Sequence, residues 1–156
     1  MHRNHRALDG LTYAKNMRVL VATDGSKASE AAVRFASSLL GGDSGSELVM
    51  LTVDIKDGNV KQPPSASPDN VSSIDGPTTR RIRATARSQD EVPEVICRQA
   101  DRLRTDLIVV GSEGRETLEA WVVGGTALRL LYLSRRPVTV VRASGRRSPR
   151  RSSASR

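Results

Sequence analysis

The sequence predicts an open three-layer α/β domain built on a five-stranded parallel sheet. Three observations predict it. Short apolar runs recur along the chain at Met17–Ala22, Glu47–Val53, Asp106–Val110 and Pro137–Val141, and each is apolar almost throughout rather than alternating. A continuous apolar run is what a strand needs when both faces of its sheet are covered. Segments with helical periodicity separate the strands, and turn residues end most of them. A strand, a helix and a strand in that order close as a right-handed crossover with parallel strands.

Met17-Arg-Val-Leu-Val-Ala22 ends in Thr23-Asp24-Gly25-Ser26, which reads as a strand followed by a turn. Ser26 suits an N-cap for a helix through Leu40, with Ala28, Ala32, Phe35, Ala36 and Leu39 on one face and Gly41-Gly42 as its stop. Residues 47–53 form the second strand. The stretch 56–79 holds Pro63, Pro64, Pro68 and Pro77 without a helical stripe, and is expected to be a long loop. Residues 81–87 alternate Ile82, Ala84 and Ala86 with Arg81, Arg83, Thr85 and Arg87, the pattern of a half-exposed strand at a sheet edge.

Asp90 can cap a helix over 91–104, where Val92, Val95, Ile96, Gln99 and Leu103 fall at helical spacing and Pro93 is tolerated in the first turn. Residues 106–110 make the fourth strand, a glycine-rich segment fills 111–125, residues 126–134 make a helix, and 137–141 make the fifth strand.

The chain has 156 residues, the size of one domain, and only 3% of them are aromatic, so Val, Leu, Ile and Ala must build the core. The domain is expected over residues 17–142, between a disordered extension 1–16, in which Met17 is an alternative start, and a basic disordered tail 143–156. The net charge is +8, but residues 142–156 supply +6 and residues 1–16 supply +2, so 17–141 is neutral. That distribution does not point to a nucleic-acid-binding surface on the folded domain. The single cysteine, Cys97, excludes a disulfide framework. No run approaches the ~20 apolar residues of a membrane span, and no secretory signal is visible, so a cytoplasmic protein is expected.

Open parallel sheets bind ligands beyond the carboxyl ends of their strands, where strand order reverses. If the first and fourth strands are neighbours, Ala22-Thr23-Asp24-Gly25 and Gly111-Ser112-Glu113-Gly114 flank that point. Glycines there let backbone N–H groups approach a ligand, and the free N–H groups opening the helix at Gly125 or Thr126 favour a phosphate.

Gly111-x2-Gly114-x9-Gly124, set between DLIVVG and PVTVVR, resembles the nucleotide signature of the universal stress protein family, which ends in Gly-Ser or Gly-Thr. MRVLVATDGSKASEAAVRFA resembles the family's first strand, acidic turn and helix, and the resemblance covers residues 17–54 and 80–142. It implies a Rossmann-like sheet of order 3-2-1-4-5, of the adenine nucleotide alpha hydrolase-like type. It implies ATP as ligand, with or without Mg²⁺, and a homodimer paired through strand 137–142. By position, Ala22, Thr23 and Asp24 would face the nucleoside and Val53 the adenine. Gly111, Gly114, Arg115, Gly124, Gly125 and Thr126 would hold the phosphates. The chain departs from the pattern in three ways. Gly125 stands at the hydroxyl position, Glu113, Glu116 and Glu119 crowd the phosphate loop, and a proline-rich segment replaces the helix between the second and third strands.

The expected function is therefore a small regulatory ATP-binding protein of the stress response. Two readings compete. The glutamates and Gly125 favour an interaction module of the same fold that binds no nucleotide; nucleic-acid binding rests on the tail charge alone. No catalytic constellation is visible: His2 and His5 lie in the extension, there is no Gly-Lys-Ser/Thr phosphate loop, and Ser26 and Ser112 read as cap and turn residues. At most, weak ATP hydrolysis is expected.

Overall fold

The computed structural model describes residues 16–43, 45–56, 77–112 and 124–143. Five parallel strands form one sheet in the order β3-β2-β1-β4-β5. They are β1 (Arg18–Ala22), β2 (Glu47–Ile55), β3 (Thr78–Ala86), β4 (Leu107–Gly111) and β5 (Val138–Val141). Among the described residues three α-helices lie between them: α1 (Lys27–Leu40), α2 (Val92–Leu103) and α3 (Gly125–Leu133).

The handedness of the crossovers decides which face each helix takes. The chain steps from β1 to β2 in one direction across the sheet, then from β3 back to β4 and on to β5 in the other. Right-handed connections therefore put α1 on one face and α2 and α3 on the opposite face. The strand pleat sorts the side chains accordingly. Val19, Val21, Leu48 and Val109 pack under α1 against Ala32, Ala36 and Leu40. Leu20, Val49, Leu51 and Ile108 pack under α2 and α3 against Ile96, Ala100, Ala127 and Leu130. Central β1 supplies both layers, which is why its sequence is apolar without alternation.

Small residues let α1 lie close to the sheet, and its buried stripe is Ala28, Ser29, Ala32, Ala36 and Leu40. Phe35, expected on that face, is 41% exposed at its flank. The Ser26 side chain accepts from Ser29 N at the start of α1, and Gly41 ends the helix at φ 56, where a side chain would be strained.

At the far edge, β3 begins at Thr78, inside the stretch expected to be loop, because Thr78 N donates to Ser46 O and extends the ladder with β2. Its Ile82 and Ala84 pack on the α2 side, while Arg81, Arg83 and Thr85 are exposed. Arg83 donates twice to Asp54 on β2, at 2.8 Å each. Glu47 lies between Arg18 and Arg80, tying the amino ends of β1, β2 and β3 together.

Asp90 does not cap α2. It lies within a 3-10 turn, Gln89–Glu91, and the residue before the helix, Glu91, makes no side-chain cap bond. Glu91 instead accepts from Arg87 N at 2.7 Å and from Arg98 at 3.3 Å. Arg129 of α3 reaches back to Asp90 O at 2.7 Å and Glu94 at 3.4 Å, fixing α3 beside α2. No helix among the described residues is long and apolar enough to cross a membrane.

Candidate functional site

Strand order reverses between β1 and β4, which pair directly from Val19↔Leu107 to Ala22↔Val110. Their carboxyl ends bring the Thr23-Asp24-Gly25 turn beside Gly111 and Ser112. Strand β2 overruns β1: Ala22 is level with Leu51, so Val53 stands past the end of β1. Val53 is partly buried on the α2 side of the sheet.

The turn after β1 is built by its own hydrogen bonds. Thr23 N donates to Leu51 O at 2.9 Å and so extends the ladder one residue. Ser26 N donates to Asp24 Oδ1 at 2.9 Å, an Asx turn that leads into α1. Thr23 Oγ1 donates to Ser29 Oγ at 3.2 Å, and Gly25 takes the left-handed conformation at φ 77. Asp24 remains solvent-exposed. Partial burial of its carboxyl acts to raise its pKa, but hydrogen bonds from Ser26 and Ser29 outweigh that and hold it below the ordinary aspartate value.

On the other side, β4 is followed by a segment clamped at both backbone groups. Ser112 N donates to Val141 O at 2.7 Å, and Ser112 O accepts from Gly124 N at 2.6 Å. The second bond brings the amino end of α3 to the carboxyl end of β4. Helix α3 opens without a side-chain cap. Its first intrahelical bond is Leu128 N to Gly124 O, which leaves the N–H groups of Gly125, Thr126 and Ala127 without a partner among the described residues. A Cβ on Gly125 would meet nothing within 4 Å, so a side chain at that position has room.

Of the residues expected at the site, Ala22, Thr23, Asp24, Gly111, Gly124, Gly125 and Thr126 lie at this switch point, and Val53 lies at the neighbouring strand end. Gly114 and Arg115 lie outside the described residues, as do Glu113, Glu116 and Glu119. Gly111 has a packing role of its own: a Cβ there would lie 2.7 Å from Ala28 C and 2.8 Å from Ser29 N. The sequence reading passed over Ser29 and gave Ser112 a turn. Ser112 is 2% exposed and its Oγ has no hydrogen-bond partner.

An open, doubly wound α/β domain with a switch point between its first and fourth strands is the class this fold defines. Residues 77–142 match the family model described as the universal stress protein family. No curated protein matches the chain. Among solved structures, the hypothetical protein MJ0577 shares 16% identity at TM-score 0.63, covering 83% of this chain and 98% of that one. The universal stress protein UspA from Lactobacillus plantarum shares 18% identity at TM-score 0.63, covering 83% and 99%. A universal stress protein in complex with cAMP shares 19% identity at TM-score 0.56, covering 82% and 98%. Residues 77–142 are thus similar in sequence to the universal stress protein family, and the described fold as a whole is that of solved universal stress proteins.

Proposed function

We propose that the chain is a regulatory universal stress protein that holds an adenine nucleotide, ATP with or without Mg²⁺ in the first instance, at the switch point between β1 and β4. The observation that carries this reading is a pairing of opposite chemistries across one crevice. Asp24 offers a carboxylate on the β1 side, and the uncapped turn of α3 offers three N–H groups on the β4 side. An ionised carboxylate only accepts hydrogen bonds, which suits ribose hydroxyls. A helix amino terminus carries partial positive charge and suits phosphate. A nucleotide presents both groups. The family's cAMP-bound member, of the same fold, supports the assignment.

In this reading Ala22, Thr23 and Asp24 face the nucleoside, Val53 lines the base pocket, and Gly111, Gly124, Gly125 and Thr126 meet the phosphates together with Gly114 and Arg115. The nucleotide biases conformation or partner binding rather than being turned over. The domain spans 17–142, works in the cytoplasm, and pairs with a second copy through β5.

Mass spectrometry of small molecules released from the purified chain, followed by calorimetry with ATP and Mg²⁺, AMP and cAMP, tests the proposal. A co-purifying adenine nucleotide, or saturable binding that Asp24→Ala and Gly125→Val both weaken, is the expected result. No binding of any of the three would leave the interaction-module reading in its place.

A further inference from the structure

We propose that the outer edge of β3 is a docking edge for an extended acidic peptide of a partner protein, which adds a further strand to the sheet; the inference does not depend on the nucleotide reading. β3 ends the sheet on the side opposite β5, and its nine residues pair with β2 along their whole length. Thr78 N donates to Ser46 O at one end, and Ala86 O accepts from Lys56 N at the other. Backbone groups alternate in direction along a strand. The even-numbered residues from Thr78 to Ala86 therefore address β2, while Thr79, Arg81, Arg83 and Thr85 address the outer side. No strand pairs there among the described residues. A strand edge of this length is a template for another chain.

The side chains along the edge select the chain that fits. Residues 77–88 hold four Arg and no acidic residue. Arg81 is level with Met50, which packs in the layer under α1, so Arg81 and Arg83 stand on the α1 side of the sheet. Both are exposed, and Arg81 makes no ion pair among the described residues. Beyond the strand end, Glu91 accepts from both Arg87 N and Arg98, which brings a further guanidinium to the same edge. On the other side, Ile82 and Ala84 are only partly buried against the core. A second copy of this edge would set the arginines against one another, and like charges facing across a strand pair are destabilising. A strand with acidic residues at every other position instead sets them beside Arg81 and Arg83, and lays its alternate apolar residues over Ile82 and Ala84. Single-stranded nucleic acid is also anionic, but residues 77–104 contain no aromatic side chain on which bases could stack.

The test is fluorescence anisotropy of a labelled, end-capped peptide of repeated Glu-Val, titrated with wild type, Arg81→Glu and Thr85→Pro. Repeated Lys-Val and a thymidine oligonucleotide are the controls, and circular dichroism checks that each variant is folded. The Glu-Val peptide is expected to bind wild type, more weakly as salt rises, and Lys-Val is expected not to bind. Arg81→Glu turns an attraction into a repulsion and is expected to weaken binding roughly tenfold. Thr85→Pro removes an N–H on the outer side without cutting the ladder to β2, and is expected to weaken binding about fivefold. A Glu-Val peptide N-methylated along its backbone reads the same hydrogen bonds on the wild-type protein, and is expected not to bind. Absence of binding by the Glu-Val peptide overturns the proposal, as does undiminished affinity in Arg81→Glu. Undiminished affinity in a folded Thr85→Pro, or for the N-methylated peptide, overturns strand addition and leaves only a basic surface. An oligonucleotide that binds as tightly as the peptide, and is lost with it in Arg81→Glu, overturns the choice of a peptide and gives the edge to nucleic acid.

Discussion

A Cβ placed on Gly111 would lie 2.8 Å from the backbone nitrogen of Ser29, across the contact between β4 and α1. The other close atoms also belong to α1, Ala28 C at 2.7 Å and Ala28 Cβ at 2.9 Å. Backbone cannot swing aside as the end of a flexible side chain can. Gly111→Ala is therefore expected to destabilise the fold by about 1–3 kcal/mol, the usual cost of overpacking a tight site. Urea denaturation checks it. Unchanged stability would mean that α1 moves away freely, and the close approach would not explain the glycine.

The fold was legible because its constraint is written in the central strands. Val19–Ala22 and Ile108–Val110 must fill layers on both faces of the sheet, so their apolar character cannot alternate. Where partners rather than patterns set the structure, the sequence was less informative. Thr78, Thr79 and Arg80 carry no apolar alternation, and they are strand because β2 offers them a ladder. Asp90 has the chemistry of a cap but sits inside the 3-10 turn ahead of α2. The switch point was legible in Asp24 and in the glycines. Ser112 was not, since a serine after a strand reads as a turn, and its burial depends on the folded neighbours around β4 and α3. Gly114 and Arg115 lie outside the described residues.

The turn at Asp24 makes a prediction about acid. Its carboxyl titrates below the ordinary aspartate value because hydrogen bonds from Ser26 and Ser29 outweigh the opposing effect of burial. A depressed folded pKa stabilises the protein above the unfolded value, about 3.9, and that contribution is lost as pH falls through the folded value. Asp24→Asn is expected to be less stable than wild type at neutral pH, with the gap closing below about pH 4. Thermal unfolding across pH 2–7 would show it. A gap independent of pH would mean that the ionised form carries no advantage.

Gly125 stands at the first position of α3 with nothing within 4 Å of its absent side chain and without a positive φ. Replacing a glycine whose backbone other residues adopt easily restricts the unfolded chain, so Gly125→Ser is expected to stabilise the fold by a few tenths to about 1 kcal/mol. It would also add a hydroxyl beside the N–H groups of the turn that have no partner among the described residues. Nucleotide affinity is expected to rise severalfold, the net worth of one added hydrogen bond. Calorimetry with AMP reads it. Weaker binding would show that a ligand needs the empty space itself.

The last prediction concerns the outer edge of β5. Among the described residues Val138 to Val141 pair with β4 on one side only, and the strand carries no charge along its length. Such an edge invites another chain. Its neighbour α3 turns Leu128, Leu131 and Tyr132 outward, with Tyr132 82% exposed. Ile108 N donates to Pro137 O and Ser112 N to Val141 O. Alternate residues of a strand direct their backbone groups to the same side, so Pro137, Thr139 and Val141 address β4, while Val138 and Val140 address the open edge. Thr139→Pro would consequently damage the sheet itself. Val140→Pro removes a donor that faces outward, and is the substitution that separates pairing from folding. A second copy laid antiparallel against β5 would give a closed two-fold dimer. Light scattering is expected to find wild type dimeric at tens of micromolar and Val140→Pro monomeric, with circular dichroism confirming that the variant is folded. A monomeric wild type defeats the prediction without reference to any variant, and a folded Val140→Pro that stays dimeric moves the interface away from this edge.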